Sequence, residues 1–99
     1  MQVKDGANIW GLEKVMQRVL KEADEIWSDY GEELVITSAR DGIHSAGSLH
    51  YYGLAVDLRT RYFSDQDKQR VFEELKDVLG WEYDVILHST HIHVEYDPK

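Results

Sequence analysis

The sequence predicts an α+β domain in which a small, mostly antiparallel sheet is flanked by two main helices. Three observations predict it: two segments with helical hydrophobic periodicity, two short apolar runs between them, and two closely spaced alternating runs near the end of the chain. The mixed order of helices and strands favours an α+β fold over a regular parallel-sheet fold. With 99 residues, 42% of them hydrophobic, residues 1–99 form one domain with a single modest core.

The first helix is predicted from residue 9 to residue 27. Apolar residues recur there at steps of three and four, the spacing that places side chains on one face of a helix. The pattern therefore predicts an amphipathic helix that packs on the core. Its apolar residues are Ile9, Leu12, Val15, Met16, Val19, Leu20, Ala23, Ile26 and Trp27.

Two strands separated by a long loop are predicted in the middle of the chain. Residues 34–38 are a β-branched run and residues 54–58 a second apolar run, whereas residues 40–52 are polar and contain glycine. Alternation along the second strand directs Asp57 away from the face that carries its larger apolar residues. A half-buried carboxylate costs several kcal/mol unless it is paired or bound to metal, so Asp57 is expected to have such a partner.

A second helix and a hairpin complete the predicted fold. Ser64 is typical of an N-cap, and Gly80 is well placed to end the helix in a left-handed conformation. Residues 83–88 and 91–96 are predicted to pair as a hairpin. Its core face would carry Val85, Leu87, Ile92, Val94 and Tyr96, and its other face Asp84, Ile86, His88, His91, His93 and Glu95, with His88 opposite His91 and Ile86 opposite His93.

Composition argues against several classes of function and partner. A net charge of −8 disfavours nucleic acid and anionic lipid surfaces. No apolar run is long enough to predict a membrane-spanning helix, and residues 1–8 lack the pattern of a secretion signal. We therefore expect a cytoplasmic, monomeric protein. Cysteine is absent, which leaves His, Asp and Glu as the strong metal ligands.

Residues 48–57, with the sequence SLHYYGLAVD, resemble the S-x-H-x-x-G-x-A-x-D motif of the M15-type zinc metallopeptidases. The segment His91-Ile92-His93 resembles the closing histidine motif of the same family. The ten-residue motif is specific, and His-x-His alone is not. The family includes zinc D-Ala-D-Ala carboxypeptidases, vancomycin-resistance dipeptidases and phage L-alanyl-D-glutamate endolysins, and its fold is similar to the amino-terminal signalling domain of hedgehog proteins.

The resemblance implies a zinc site and the residues that serve it. It assigns His50, Asp57 and His93 as zinc ligands, a set that leaves a fourth position open as in catalytic zinc sites. It assigns Arg40 to substrate binding and oxyanion stabilisation, with a surface salt bridge as the alternative. It also assigns Ser48 to ordering the loop or touching substrate. Asp84 and Glu95 are interpreted as supporting or solvated residues rather than catalytic ones.

One position departs from the family pattern and affects the expected mechanism. Several members carry Glu or Asp three residues before the last zinc histidine, where it acts as general base, and this chain has Thr90 there. His88 and His91 are the available replacements, because imidazoles transfer protons near neutral pH. The sequence prediction is that one of them is the general base, with His88 preferred.

The resemblance implies a zinc-dependent peptidase that hydrolyses stem or cross-link peptides of bacterial peptidoglycan, as a D,D-carboxypeptidase or an L,D-type endopeptidase. A phage or prophage origin is expected, with the enzyme acting on the cell wall after release or as part of a virion. Thr90 favours an alternative, a metal-holding but catalytically inert binding module similar to the hedgehog domain or to a phage tail component. A module without metal would require the motif match to be accidental.

Overall fold

The computed structural model describes residues 1–7, 9, 12–39 and 54–98, and it confirms the α+β class. These ranges contain two helices and a five-stranded sheet of order β1-β2-β3-β5-β4, in which β1 and β2 are parallel and the other neighbours antiparallel. Neither described helix has the length and apolar character needed to cross a membrane. The elements are β1 (Gln2–Val3), α1 (Lys14–Asp29), β2 (Val35–Ser38), β3 (Ala55–Arg59), α2 (Asp65–Leu79), β4 (Tyr83–Leu87) and β5 (His91–Tyr96).

Helix α1 begins later than its hydrophobic periodicity predicts. Glu13 has an extended backbone, with φ −64° and ψ 155°, so the helix starts at Lys14. Before it, the Leu12 N–H donates to the Ile9 carbonyl in a turn, over 3.3 Å. Leu12 is nevertheless buried in the core and Ile9 packs against it. The spacing therefore predicts burial correctly and the start of the helix wrongly.

Trp27 of α1 lies at the centre of the core and holds one end of β3. Its side chain is fully buried, and its Nε1–H donates to the Arg59 carbonyl over 3.1 Å. Its ring meets Phe63 edge-on, with centroids 5.7 Å apart. Helix α1 therefore fixes the position of the strand that carries Asp57. The sheet contributes the fully buried residues Ile36, Val56, Leu58, Ile92 and Val94 to this core.

Both predicted boundaries of α2 are found, with one difference in backbone conformation. The Ser64 Oγ accepts a hydrogen bond from the Asp67 N–H over 3.1 Å, which confirms the N-cap. Gly80 follows the last helical residue with φ +82° and ψ −172°. The positive φ agrees with the prediction, but ψ lies outside the left-handed helical region, in a region populated almost only by glycine.

Strand β1 has no counterpart among the elements that the sequence predicts. Two residues pair in parallel with β2, through hydrogen bonds from the Gln2 N–H to the Leu34 carbonyl (2.7 Å) and from the Lys4 N–H to the Ile36 carbonyl (2.9 Å). Both strand residues are exposed. A strand without a buried face leaves no apolar alternation in the sequence, which explains why it was not predicted.

Arg18 connects α1 to the end of α2. Its Nη2 donates to the Val78 carbonyl over 3.0 Å, and its Nη1 to the Leu79 carbonyl over 3.4 Å. The guanidinium also lies 5.7 Å from the centre of the Tyr83 ring. A cation at this position satisfies carbonyls that have no partner within the helix and complements the helix dipole.

We expect Arg18→Ala to lower the free energy of unfolding by about 1 kcal/mol, because the last carbonyls of α2 lose a charged donor. Urea unfolding followed by circular dichroism measures this loss. The control is Lys21→Ala, which removes an exposed cation from the same helix. Equal losses in the two variants would contradict the role given to Arg18.

Candidate metal and catalytic site

Asp57 and His93 face each other on the polar side of the sheet. The β3–β5 register pairs them directly, and the hydrogen bond from the Thr60 N–H to the Thr90 carbonyl (3.0 Å) fixes the alternation of that ladder. Asp57 and His93 consequently form a non-hydrogen-bonded pair, the kind in which facing side chains come closest. The His93 Nδ1 lies 2.8 Å from the Asp57 Oδ1. Sheet pairing therefore brings together two of the three predicted zinc ligands.

Glu95 lies on the other side of the His93 ring, with its Oε1 2.9 Å from the His93 Nε2. The imidazole is thus held between two carboxylates, and all three side chains are largely shielded, with 17% (His93), 19% (Asp57) and 22% (Glu95) exposure. From the sequence alone, Glu95 is interpreted as a supporting or solvated residue. The two-residue spacing of His93 and Glu95 on one strand was the signal for this contact.

The two carboxylates raise the pKa of His93. The hydrogen bond to Asp57 is the largest cause, burial acts in the opposite direction, and Glu95 raises the pKa further. A protonated His93 donates from both ring nitrogens, one to each carboxylate. In the metal-free protein the half-buried ring therefore lies between two acids that favour its protonated form.

His88 and His91 extend this row of polar groups toward the hairpin turn. The His91 Nε2 lies 3.9 Å from the Asp57 Oδ1, and its Nδ1 lies 3.3 Å from the Thr90 Oγ1. The His88 ring stacks on the His91 ring, with centroids 4.6 Å apart and planes 21° apart. The His88 N–H donates to the His91 carbonyl over 2.9 Å, which confirms that the two residues lie opposite each other.

A β-bulge in β2 lies beside Asp57. Ile36 pairs with Leu58 and Ser38 with Asp57, so Thr37 is an extra residue in β2. The Thr37 hydroxyl donates to the Asp57 carbonyl over 3.4 Å. Bulges are frequent next to active sites, because they bend a strand and change the direction of nearby side chains.

Glu95 also belongs to a second group, of three carboxylates, together with Asp84 and Asp97. Asp84 pairs with Glu95 across the β4–β5 ladder, and Asp97 lies next to both. One oxygen of each residue lies within 4.8 Å of the others, so this group could hold a metal ion. A cation would offset the repulsion between like charges that face each other on a sheet. A donor set of oxygens alone suits a hard cation such as magnesium or calcium better than zinc.

Three predicted site residues, Arg40, Ser48 and His50, lie outside the described residues. Their assignments as the oxyanion or substrate group, the loop or substrate group and the third zinc ligand therefore stay predictions. Among the predicted residues within the described ranges, the structure brings His91 and His93 to the same carboxylate, that of Asp57, and the His88 ring stacks on His91.

No protein-family model matches the chain, and no curated protein matches it. The identification of the site therefore depends on the motif in residues 48–57 and on the contacts of Asp57 and His93. The contacts place a carboxylate oxygen and an imidazole nitrogen side by side, 2.8 Å apart. The motif supplies the reason to expect zinc there.

The raised pKa of His93 predicts how the stability of the metal-free protein depends on pH. Because the folded pKa exceeds the ordinary value of 6.5, the stabilisation is complete below 6.5 and is lost as pH rises through the raised pKa. Urea unfolding of the protein in chelator, measured below and above pH 6.5, should show that the free energy of unfolding falls as pH rises. His93→Gln should remove this component, so an identical pH dependence in that variant would refute it.

Proposed function

We propose that this chain is a zinc-dependent peptidase similar in fold and mechanism to the D-Ala-D-Ala carboxypeptidases and phage endolysins, acting on stem or cross-link peptides of peptidoglycan. The observation that carries the proposal is the 2.8 Å contact between Asp57 and His93. The motif resemblance names the same two residues as zinc ligands. The two residues are 36 positions apart along the chain, so the contact between their side chains depends on the fold.

The contact between Asp57 and His93 fits zinc coordination. A carboxylate oxygen and an imidazole nitrogen are both donors that zinc accepts in catalytic sites. The Asp57 Oδ1 and the His93 Nδ1 lie side by side, 2.8 Å apart, so these two residues would be able to hold one zinc ion together. Glu95 holds the other nitrogen of His93, which is the arrangement that orients metal-binding histidines in proteins. In this proposal His50 is the third ligand.

A zinc ion at this site would be held by His50, Asp57 and His93, and it would supply polarisation of a peptide carbonyl and a bound water that ionises near neutral pH. The protein contributes proton transfer, orientation and charge. His91 accepts a proton at Nε2 from the attacking water and returns it to the leaving amine. Arg40 is proposed to bind substrate and the developing oxyanion, while Glu95 keeps the His93 ring in place.

Contacts in the structure favour His91 over His88 as the group that transfers the proton. The His91 Nε2 lies 3.9 Å from the Asp57 carboxylate, close to the proposed ligands. His88 is exposed and touches this row by stacking on His91. We therefore assign proton transfer to His91 and positioning of the His91 ring to His88, which reverses the order preferred from sequence alone.

The proposed site predicts one zinc ion per chain, measured by elemental analysis of protein purified without added metal. His50→Ala, Asp57→Ala and His93→Ala should each abolish retention, because the remaining two ligands bind too weakly. Chelation should also lower the melting temperature by several degrees, since zinc binds the native state.

Two controls make the metal measurement specific. His88→Ala removes a histidine that is not a proposed ligand and should retain zinc. The double variant Asp84→Asn, Asp97→Asn disables the carboxylate group and should retain zinc as well. Full zinc content in His93→Ala, or its loss in the Asp84 and Asp97 variant, would show that the metal is held elsewhere.

We expect His91→Ala to retain zinc and lose on the order of 10²- to 10⁴-fold in kcat, the usual contribution of a positioned base. His88→Ala should lose less, because stacking acts only through His91. Release of amino groups from purified sacculi, with the products identified by mass spectrometry, measures both. A larger loss of kcat in His88→Ala than in His91→Ala would make His88 the base and His91 the positioning residue. Near-full turnover in both variants would place the base elsewhere, with Glu95 the next residue to test.

Thr90 favours a second candidate function, a metal-holding binding module without catalysis. The family position for an acidic base carries a hydroxyl here, and that hydroxyl lies 3.3 Å from the His91 Nδ1. Such a module would hold zinc through the same residues. It is distinguished by full zinc content together with no release of amino groups from sacculi.

A further inference from the structure

Strand β4 is an edge strand of the described sheet. It pairs with β5 on one side, and among the described strands none lies on the other. In an antiparallel ladder, hydrogen-bonded and non-hydrogen-bonded residue pairs alternate. The hydrogen bond from the His88 N–H to the His91 carbonyl shows that the even-numbered residues of β4 are the ones that bond to β5. Val85 and Leu87 then direct their N–H and C=O groups away from the sheet. Within the described ranges these groups have no hydrogen-bonding partner, which makes this edge able to pair with another chain.

A groove of about 800 Å³ runs along this edge, between β4 and the second half of α2. Two large apolar side chains are exposed in it, Trp81 at 66% and Ile86 at 43%. Exposed apolar groups gathered beside an unpaired strand edge are more typical of a binding surface than of a solvated one. A groove between a strand edge and a helix is also a recurrent place for peptides to add to a sheet.

The charges of the groove indicate the chemistry of its partner. Three carboxylates line it, from Glu73, Asp77 and Asp84, against one ammonium group, that of Lys76. The whole chain carries a net charge of −8. A partner with Lys or Arg side chains is therefore attracted, and the exposed face of Trp81 can bind such a cation directly.

We propose that the groove binds an extended peptide segment with basic side chains, which adds to the sheet as a new strand beside β4. Main-chain hydrogen bonds to Val85 and Leu87 hold the segment, and its basic side chains meet the carboxylates of the groove. A second copy of this chain is a poor occupant, because it brings the same acidic groove and the same net charge. The inference goes beyond the proposed peptidase activity and requires no metal.

The test is calorimetric titration of the full chain, in chelator, with the peptide Lys-Val-Lys-Val-Lys carrying acetyl and amide ends. Saturable binding that weakens as salt is added is expected, since salt screens the ion pairs. Glu-Val-Glu-Val-Glu should not bind. Methylating alternate backbone nitrogens of the lysine peptide should weaken binding roughly tenfold or more, because it removes donors needed for strand pairing.

Variants of the groove should each weaken binding roughly tenfold, as expected for central groups of an interface. Trp81→Ala removes the exposed ring, with Val78→Ala, an exposed apolar residue of α2, as its control. Asp77→Lys reverses a groove charge, with Glu25→Lys on the exposed side of α1 as its control. Asp57→Ala should leave binding unchanged, which separates this inference from the metal site.

Val85→Pro removes an N–H that points away from β5, so no hydrogen bond to β5 is lost. Proline is tolerated at such positions of an edge strand. If that variant fails to fold, the methylated peptide tests the same hydrogen bonds on the unaltered protein. Equal binding of the glutamate peptide, or no effect of methylation, would overturn the proposal. So would the absence of binding at millimolar peptide. A dimer in sedimentation that Val85→Pro disperses would assign the edge to a second copy instead.

Discussion

The pairing register of β3 with β5 is the constraint on which the rest of this structure depends. Val56 lies opposite Val94, and both are fully buried, whereas the intervening pair, Asp57 and His93, faces the other way. Because side chains alternate along a strand, a slip of one residue would move the charged pair into the core and the valines into solvent. The free energy of burying apolar side chains therefore fixes the distance between a carboxylate and an imidazole on the opposite face.

Because the register of the strands sets their positions, the side chains on the polar face have well-defined places. Asp57 lies on β3, and Trp27 anchors the end of that strand by donating a hydrogen bond to the Arg59 carbonyl. His93 is held between two carboxylates, and its ring orientation is set by hydrogen bonds at both nitrogens. Groups placed on paired strands keep their geometry better than groups on loops, which suits the proposed binding of an ion and transfer of a proton.

Carboxylates are found both at the proposed metal site and in the groove along β4. Asp57 and Glu95 flank one imidazole, and Asp84 joins Glu95 beside them. Asp84 also lines the groove along β4, and Ile86 in the same groove pairs directly with His93. Metal ions and basic peptides are both cations, so one electrostatic property of the chain serves both proposed interactions.

The sequence by itself determined the periodic elements and the faces of their side chains. Alternation in residues 83–96 predicted that Ile86 lies opposite His93, and the same rule directed Asp57 away from the core. Those features depend on neighbours along the chain or on a two-residue turn. Tertiary structure alone decided that β3 lies beside β5, that Thr37 forms a bulge next to Asp57, and that β1 joins the sheet. Pairing between strands far apart in sequence has no local signal, because it follows from how the whole apolar surface is buried.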